Sequence, residues 1–301
     1  MSLDIFISAD FWSAMVRVSA PIALAALACT IASRAGLLFI AVEGTMLLAA
    51  FFSIAGTAWT GSIVLGVVIA AVAGVVCALV FGVLSMTLRM GDVVAGLTVH
   101  VGALGLAPFL AAELFPNGAS IGSRSLRPIW PSFGGSVGDV LFHQQPLVYL
   151  AILVAIGMTL FLRTRSGLRV RSSGESLRVA QALGVKLVRL RFAVLAVSGA
   201  LAGLAGAVLG LGAGSFDLNV VSGQGFIGLA CVMLGAWQPL GVLLAAAVFA
   251  TAYAVQFRVD AIGGWIQLFP YVLTLVAMAV AWGRVQGPPE EGRGLPDGAA
   301  R

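Results

Sequence analysis

The sequence predicts an all-α integral membrane protein, a polytopic bundle of about 8–10 transmembrane helices with a short helix in one cytoplasmic loop. Three observations predict it. The chain of 301 residues is 60% hydrophobic and only 10% charged, where a soluble domain carries roughly 25% charged residues. Its apolar runs are mostly long enough to cross a hydrocarbon core, which takes about 20 helical residues. One polar interruption, 163–191, holds eight of the seventeen Lys and Arg residues.

The expected spans are 13–33, 37–57, 61–88, 91–112, 146–162, 192–212, 224–236, 240–257 and 264–282. The stretch 224–236 is short, and it ends at Pro239, which removes a helix donor. It reads as a short or re-entrant helix. The acidic N-terminus (Asp4, Asp10) lacks the basic region of a cleaved signal peptide, so the first span is expected to direct insertion. Residues 1–283 are expected to form the transmembrane domain, with 284–301 a disordered cytoplasmic tail. The Pro- and Gly-containing loop 113–145 reads as extracytoplasmic turns.

The loop 163–191 sets the orientation. Its eight cations and Glu175 give +7, so the remainder of a chain with net charge +5 is −2. Cations beside apolar spans mark the cytoplasmic side. That choice puts Arg34, Arg89 and Arg284 inside as well, while Arg124, Arg127 and Arg258 fall outside and count against it. Nucleic acid is not the expected partner, because the loop has no aromatic groups beside its charges.

Within this loop, Ser172 and Glu175 fit an S-x-x-E capping box. A helix over 173–183 would put Leu177, Ala180 and Leu183 on one face, and Gly184 fits a helix stop. Such a helix could dock into a partner's groove or rest on lipid headgroups. Further along, Gly199/Gly203 and Gly206/Gly210 recur at a spacing of four, which lets helix backbones approach closely.

Two ionisable groups fall deep within spans. At 1.5 Å per residue, Glu43 lies roughly 10–13 Å beyond the cytoplasmic boundary and His100 roughly 12–14 Å. A mid-membrane charge costs about 2.5–3.5 kcal/mol on insertion scales, so both are candidates to face a cavity or each other. Asp92, beside Arg89, reads as a solvated or paired end residue. Cys29, Cys77 and Cys231 lie singly in apolar runs and support neither disulfides nor a zinc site. No P-loop or H-E-x-x-H motif occurs. The chain is therefore not expected to be an enzyme, and no cofactor or metal is expected.

Four ordered motifs carry a family resemblance. The segment SRAGLLFIAVEGTMLLAAF (33–51) resembles the E-R-x-G-x-x-N-I-G-x-E-G-x-M stretch of bacterial ABC-importer permeases of the branched-chain amino acid, simple-sugar and nucleoside group. GDVVAGLTVHVGALGL (91–106), the region 174–213, and GQGFIGLACVMLGAWQPLGVLL (223–244) are similar to its next segments. The nucleoside-type branch is favoured. Ser33 stands where Glu is usual, Phe39 for Asn, Ala41 for Gly and His100 for Asn.

The resemblance implies a permease subunit in the bacterial inner membrane that moves a nucleoside or related solute. A simple sugar or branched-chain amino acid is the alternative. It implies a second permease subunit (paralogue or self), a cytoplasmic ABC ATPase and an extracytoplasmic solute-binding protein. It further implies Glu43, Thr98, His100, Phe226 and Trp237 along the substrate pathway, and Glu175, Leu177, Ala180 and Gly184 at the ATPase. A secondary carrier would instead show paired broken helices. Only one break, near 235–241, is legible in the sequence.

Overall fold

The structure, a computed structural model, describes residues 9–116, 118, 120, 144–182, 184–256, 272, 275, 276, 279 and 287–293. The helices are α1 (Ala9–Arg34), α2 (Val42–Thr60), α3 (Ile63–Gly82), α4 (Asp92–Leu114), α5 (Pro146–Phe161), α6 (Arg165–Glu175), α7 (Leu177–Ala182), α8 (Leu187–Ala213), α9 (Gln224–Leu234) and α10 (Pro239–Gln256). A π-helical turn, Val83–Thr87, extends α3. Among the described residues, five helices are long and apolar enough to cross a membrane, or six if the bent pair α5–α6 is one span. The chain is a multi-pass all-α membrane protein. The expected span 264–282 and residues 1–8 lie outside the described residues, apart from a few helical positions in the former.

Helix α1 is the centre of the bundle. Its alanines at 23, 25, 26, 28 and 32 are buried, and α8, α9 and α10 pack around it. Small side chains allow that convergence, because without a hydrophobic drive between helices in lipid, close backbone packing carries association. Helix α8 uses two glycine pairs on two neighbours. A Cβ at Gly199 or Gly203 would strike the backbone of Gly74 or Ala70 on α3; one at Gly206 or Gly210 would strike the carbonyls of Met46 or Ala50 on α2. The outer face of α3 carries Val64, Val68, Val72, Val76 and Val80, all exposed at i, i+4 spacing, as a lipid-facing surface requires.

The expected span 37–57 is not one helix. Residues 35–41 are non-helical yet buried at Leu37, Phe39 and Ala41. Tertiary hydrogen bonds hold them open. Arg191 Nε and Nη2 donate to the carbonyls of Ala35 (3.2 Å) and Gly36 (3.3 Å), and the Leu38 amide donates to Asp92 (2.9 Å). Asp92 is therefore not a solvated end residue. It is 3% exposed and also accepts from Ser85.

A second interruption, 214–223, precedes α9 and contains the 3-10 turn Leu218–Val220 and a single bridge from Ser215 to Ser120. The first half of the chain, where no break is legible in the sequence, thus has one at 35–41. Nor is the tail disordered over 287–293. The Glu290 amide donates to Gly174 O (3.0 Å), and Glu291 binds Ser33 and Trp237.

Candidate functional site

The two interruptions meet. Glu43, in the first turn of α2, is 6% exposed, and its oxygens accept from the amides of Gly223 (2.8 Å) and Gly225 (2.7 Å) at the start of α9. A carboxylate at a helix N-terminus satisfies orphan donors and complements the helix dipole. Glycines bring the segments together: a Cβ at Gly225 would fall 2.6 Å from Glu43 Oε2, and one at Gly44 2.6 Å from His100 Cα. Glu43 and His100 therefore share one depth, about 12 Å along α4 from Asp92 at 1.5 Å per residue.

The two groups do not pair with each other. Glu43 is engaged by α9, whereas the His100 ring lies edge-on to Phe226 with centroids 5.5 Å apart. His100 Nδ1 is buried with no hydrogen-bond partner among the described residues, and so is Gln224 Oε1. Phe226 is 40% exposed. An accessible aromatic ring beside the unmet His100 Nδ1 supplies an apolar face and a polar anchor of the kind a ligand pocket uses, and Gln224 lies two residues before Phe226 on the same helix.

Gln224 was not singled out from sequence. Its G-x-G-F context was visible, but its burial was not. Thr98 does not join this group; it is exposed and turns its hydroxyl back to Val94 O (2.8 Å). Trp237 is also elsewhere, at the basic end of the bundle, where its carbonyl accepts from Arg34 Nε (2.9 Å).

The basic loop differs from its expected form. No capping box forms at Ser172, because Ser172 lies inside α6 and its hydroxyl donates to Arg169 O (2.9 Å). Thr164 caps α6 instead, accepting from the Gly167 amide (3.2 Å). The chain breaks at Ser176, whose hydroxyl faces the Val179 amide (3.5 Å) at the start of α7. Glu175 ends α6 and lies 3.9 Å from Arg171. Leu177 and Ala180 face inward, packed with Leu187. The outward face of α7 is Arg178, Val179, Gln181 and Ala182. Gly184 ends the unit at φ +74°, where a non-glycine residue is strained.

A polar network joins this loop to the first interruption and to the turn at Ala236 and Trp237. The Ser173 hydroxyl reaches Ala35 O (3.4 Å), and Gly174 O holds the Glu290 amide. Glu291 accepts from Ser33 Oγ (2.5 Å) and Trp237 Nε1 (3.1 Å). Ala236 and Trp237 both have positive φ, a conformation that costs roughly 1–2 kcal/mol per non-glycine residue, and these contacts hold the turn.

Burial raises the Glu291 carboxyl above the ordinary range, the bonds from Ser33 and Trp237 oppose the shift, and the charge of Asp92 adds to it. A raised folded value means that the docked tail binds the proton more tightly than the free one. Its contribution to docking is full below about pH 4.3 and is lost as pH rises through the folded value. Hydrogen exchange at the Glu290 amide, corrected for intrinsic rate, should accelerate from pH 5 to pH 8, and Glu291→Gln should flatten that profile. A profile unchanged by the substitution would assign the docking to other groups.

The family described as "Branched-chain amino acid transport system / permease component" matches residues 12–285. The nucleoside ABC transporter permease protein NupC of Lactococcus lactis subsp. cremoris is 29% identical over 92% of this chain and 94% of its own. The guanosine ABC transporter permease protein NupQ of Bacillus subtilis is 28% identical over 91% of this chain and 92% of its own. A Haloferax volcanii protein provisionally named as a glucose ABC transporter permease, TsgC13, is 28% identical over 83% of this chain and 78% of its own. No solved structure matches.

Proposed function

This chain belongs to the branched-chain amino acid transport system / permease component family, and on that premise we propose that it is the membrane permease subunit of an ABC importer for nucleosides. It works in a bacterial inner membrane with a second permease subunit, a cytoplasmic ATPase and an extracytoplasmic binding protein. The observation that carries the solute class is the exposed Phe226 ring against His100, whose Nδ1 is unmet, where α4 meets α9, with Gln224 Oε1 unmet two residues earlier on α9. A nucleobase offers a π-face to Phe226 and edge donors and acceptors to the two polar atoms. A branched-chain amino acid would need a partner for its carboxylate and its ammonium, and the one carboxylate in the group, Glu43, is already engaged by two amides.

Stacking on an aromatic side chain is worth about 1–3 kcal/mol per base. Phe226→Ala should therefore raise the half-saturating nucleoside concentration roughly 5- to 150-fold, with a smaller change for Phe226→Tyr. Equal half-saturation in the alanine variant would remove Phe226 from the pathway.

The outward face of α7 is the proposed contact with the ATPase. Its movement reaches the site through Ser173 and Arg191, which both hold the Ala35 carbonyl seven residues before Val42. Val179 is 55% exposed, so Val179→Glu changes the docking face without touching the core. ATP-dependent uptake should fall at least tenfold, about 1.4 kcal/mol or more of docking energy, at unchanged membrane levels and melting temperature. Normal uptake in this variant would move the contact elsewhere.

A further inference from the structure

We propose that the bend between α5 and α6 holds an anionic phospholipid, its phosphate seated in a cavity of about 270 Å³ lined by Arg34, Arg163 and Arg171. The two helices meet at 82°. That angle puts Arg163 at the corner and turns Arg171 back towards Arg34. Gln238 and the start of α10 close the far wall, and Pro239 and Leu240 put the positive end of that helix against the cavity.

Among the described residues no acid lines the cavity. Glu175, the ion-pair partner of Arg171, is largely exposed and lines the neighbouring groove instead. Arg171 Nε is buried with no hydrogen-bond partner among the described residues. Three guanidiniums converge here with one exposed carboxylate, Glu175, as the counter-charge acting on Arg34 and Arg171, which leaves the cluster net positive and favours an anion between the guanidiniums, whose forks match phosphate oxygens.

The cavity walls also say which anion. Leu162 and Leu240 form part of the lining. From there an apolar surface continues outward along both helices through Leu153, Ile156 and Leu160 on α5 and Leu244 on α10, each at least 43% exposed. A lipid uses both surfaces, its headgroup among the arginines and its chains along the leucines. Free phosphate would use only the first. Basic pockets between membrane helices are suited to anionic headgroups for this reason.

The test uses the full chain purified with the subunits that assemble with it. Phosphatidylglycerol should raise its melting temperature by about 2–4 °C, and phosphatidylcholine of the same chains should not. The double variant Arg163→Gln/Arg171→Gln should lose that shift, while Arg169→Gln/Arg189→Gln, which changes two exposed cations outside the cavity, should keep it. An equal shift with inorganic phosphate would assign the site to the free anion and overturn the lipid. An equal shift with phosphatidylcholine, or one retained by the first double variant, would overturn the site. A photoactivatable phosphatidylglycerol on the unmodified protein gives an independent reading. Labelling within 153–171 and 238–244 is expected, and labelling confined to other segments would contradict the proposal.

Discussion

Glu43→Gln is expected to abolish concentrative uptake and to loosen the protein where its two interrupted segments meet. The carboxylate accepts from two amides, one on each oxygen. A glutamine keeps one acceptor and turns an NH₂ donor towards the other N–H. Hydrogen bonds to charged groups contribute about 1.5–3 kcal/mol, and a buried donor left unmet costs about 1–3 kcal/mol. The loss at this contact should therefore be about 2–4 kcal/mol. The start of α9 carries Gln224 and Phe226, so the site itself would shift with it. Glu43→Asp keeps the charge but draws the oxygens back by one methylene and should be intermediate. Hydrogen exchange at Gly223 and Gly225 separates this local release from global unfolding. Protection there equal to that of the unmodified protein would contradict the assignment.

Arg191→Ala should have an effect of similar size through a different segment. Arg191 is 1% exposed and donates to Ala35 and Gly36, with Asp92 and Glu290 supplying counter-charge. Its removal strips the donor from the buried Gly36 carbonyl, leaves the Ala35 carbonyl with only the Ser173 hydroxyl at 3.4 Å and leaves acids nearby uncompensated, a cost of about 3–5 kcal/mol for one member of a buried charged set. The non-helical course of 35–41 depends on these bonds, so the segment should move or become helical. Arg191→Lys keeps a charge without the fork and should recover only part of the loss. Melting temperature and exchange over 35–41 are the measurements. Wild-type values in the alanine variant would show that Asp92 alone holds the segment.

Local signals were legible in the sequence. Helix α8 was readable because a glycine every four residues puts one bare stripe on one helix face, whatever lies opposite. The depth shared by Glu43 and His100 followed from helical rise, and the structure brings Gly44 onto His100. Long-range effects were not legible. The segment AGLLFIA reads as the start of a span, and partners 54 to 156 residues away in the chain keep it open. Arg191 reads as one more orienting cation in a basic loop, and its burial depends on partners no spacing reveals.

The loop helix shows local motifs competing. Ser172 and Glu175 fit a capping box, yet α6 begins earlier at the Thr164 cap and runs through both. The inward turn of Leu177 and Ala180 follows from Leu187 packing back on them, so the outward residues are the ones between. The tail gives the longest-range case. Position 33 is serine where the resemblance leads one to expect glutamate, and the carboxylate beside it comes from Glu291, 258 residues on.

On the proposed function, this chain moves nucleosides by energy supplied from a separate ATPase. Reconstituting it in proteoliposomes with its second permease, ATPase and binding protein tests that claim directly. Labelled nucleoside should accumulate against its gradient only when ATP is present, and an ATPase unable to hydrolyse should stop it. Accumulation that persists without ATP or without the ATPase would contradict the account.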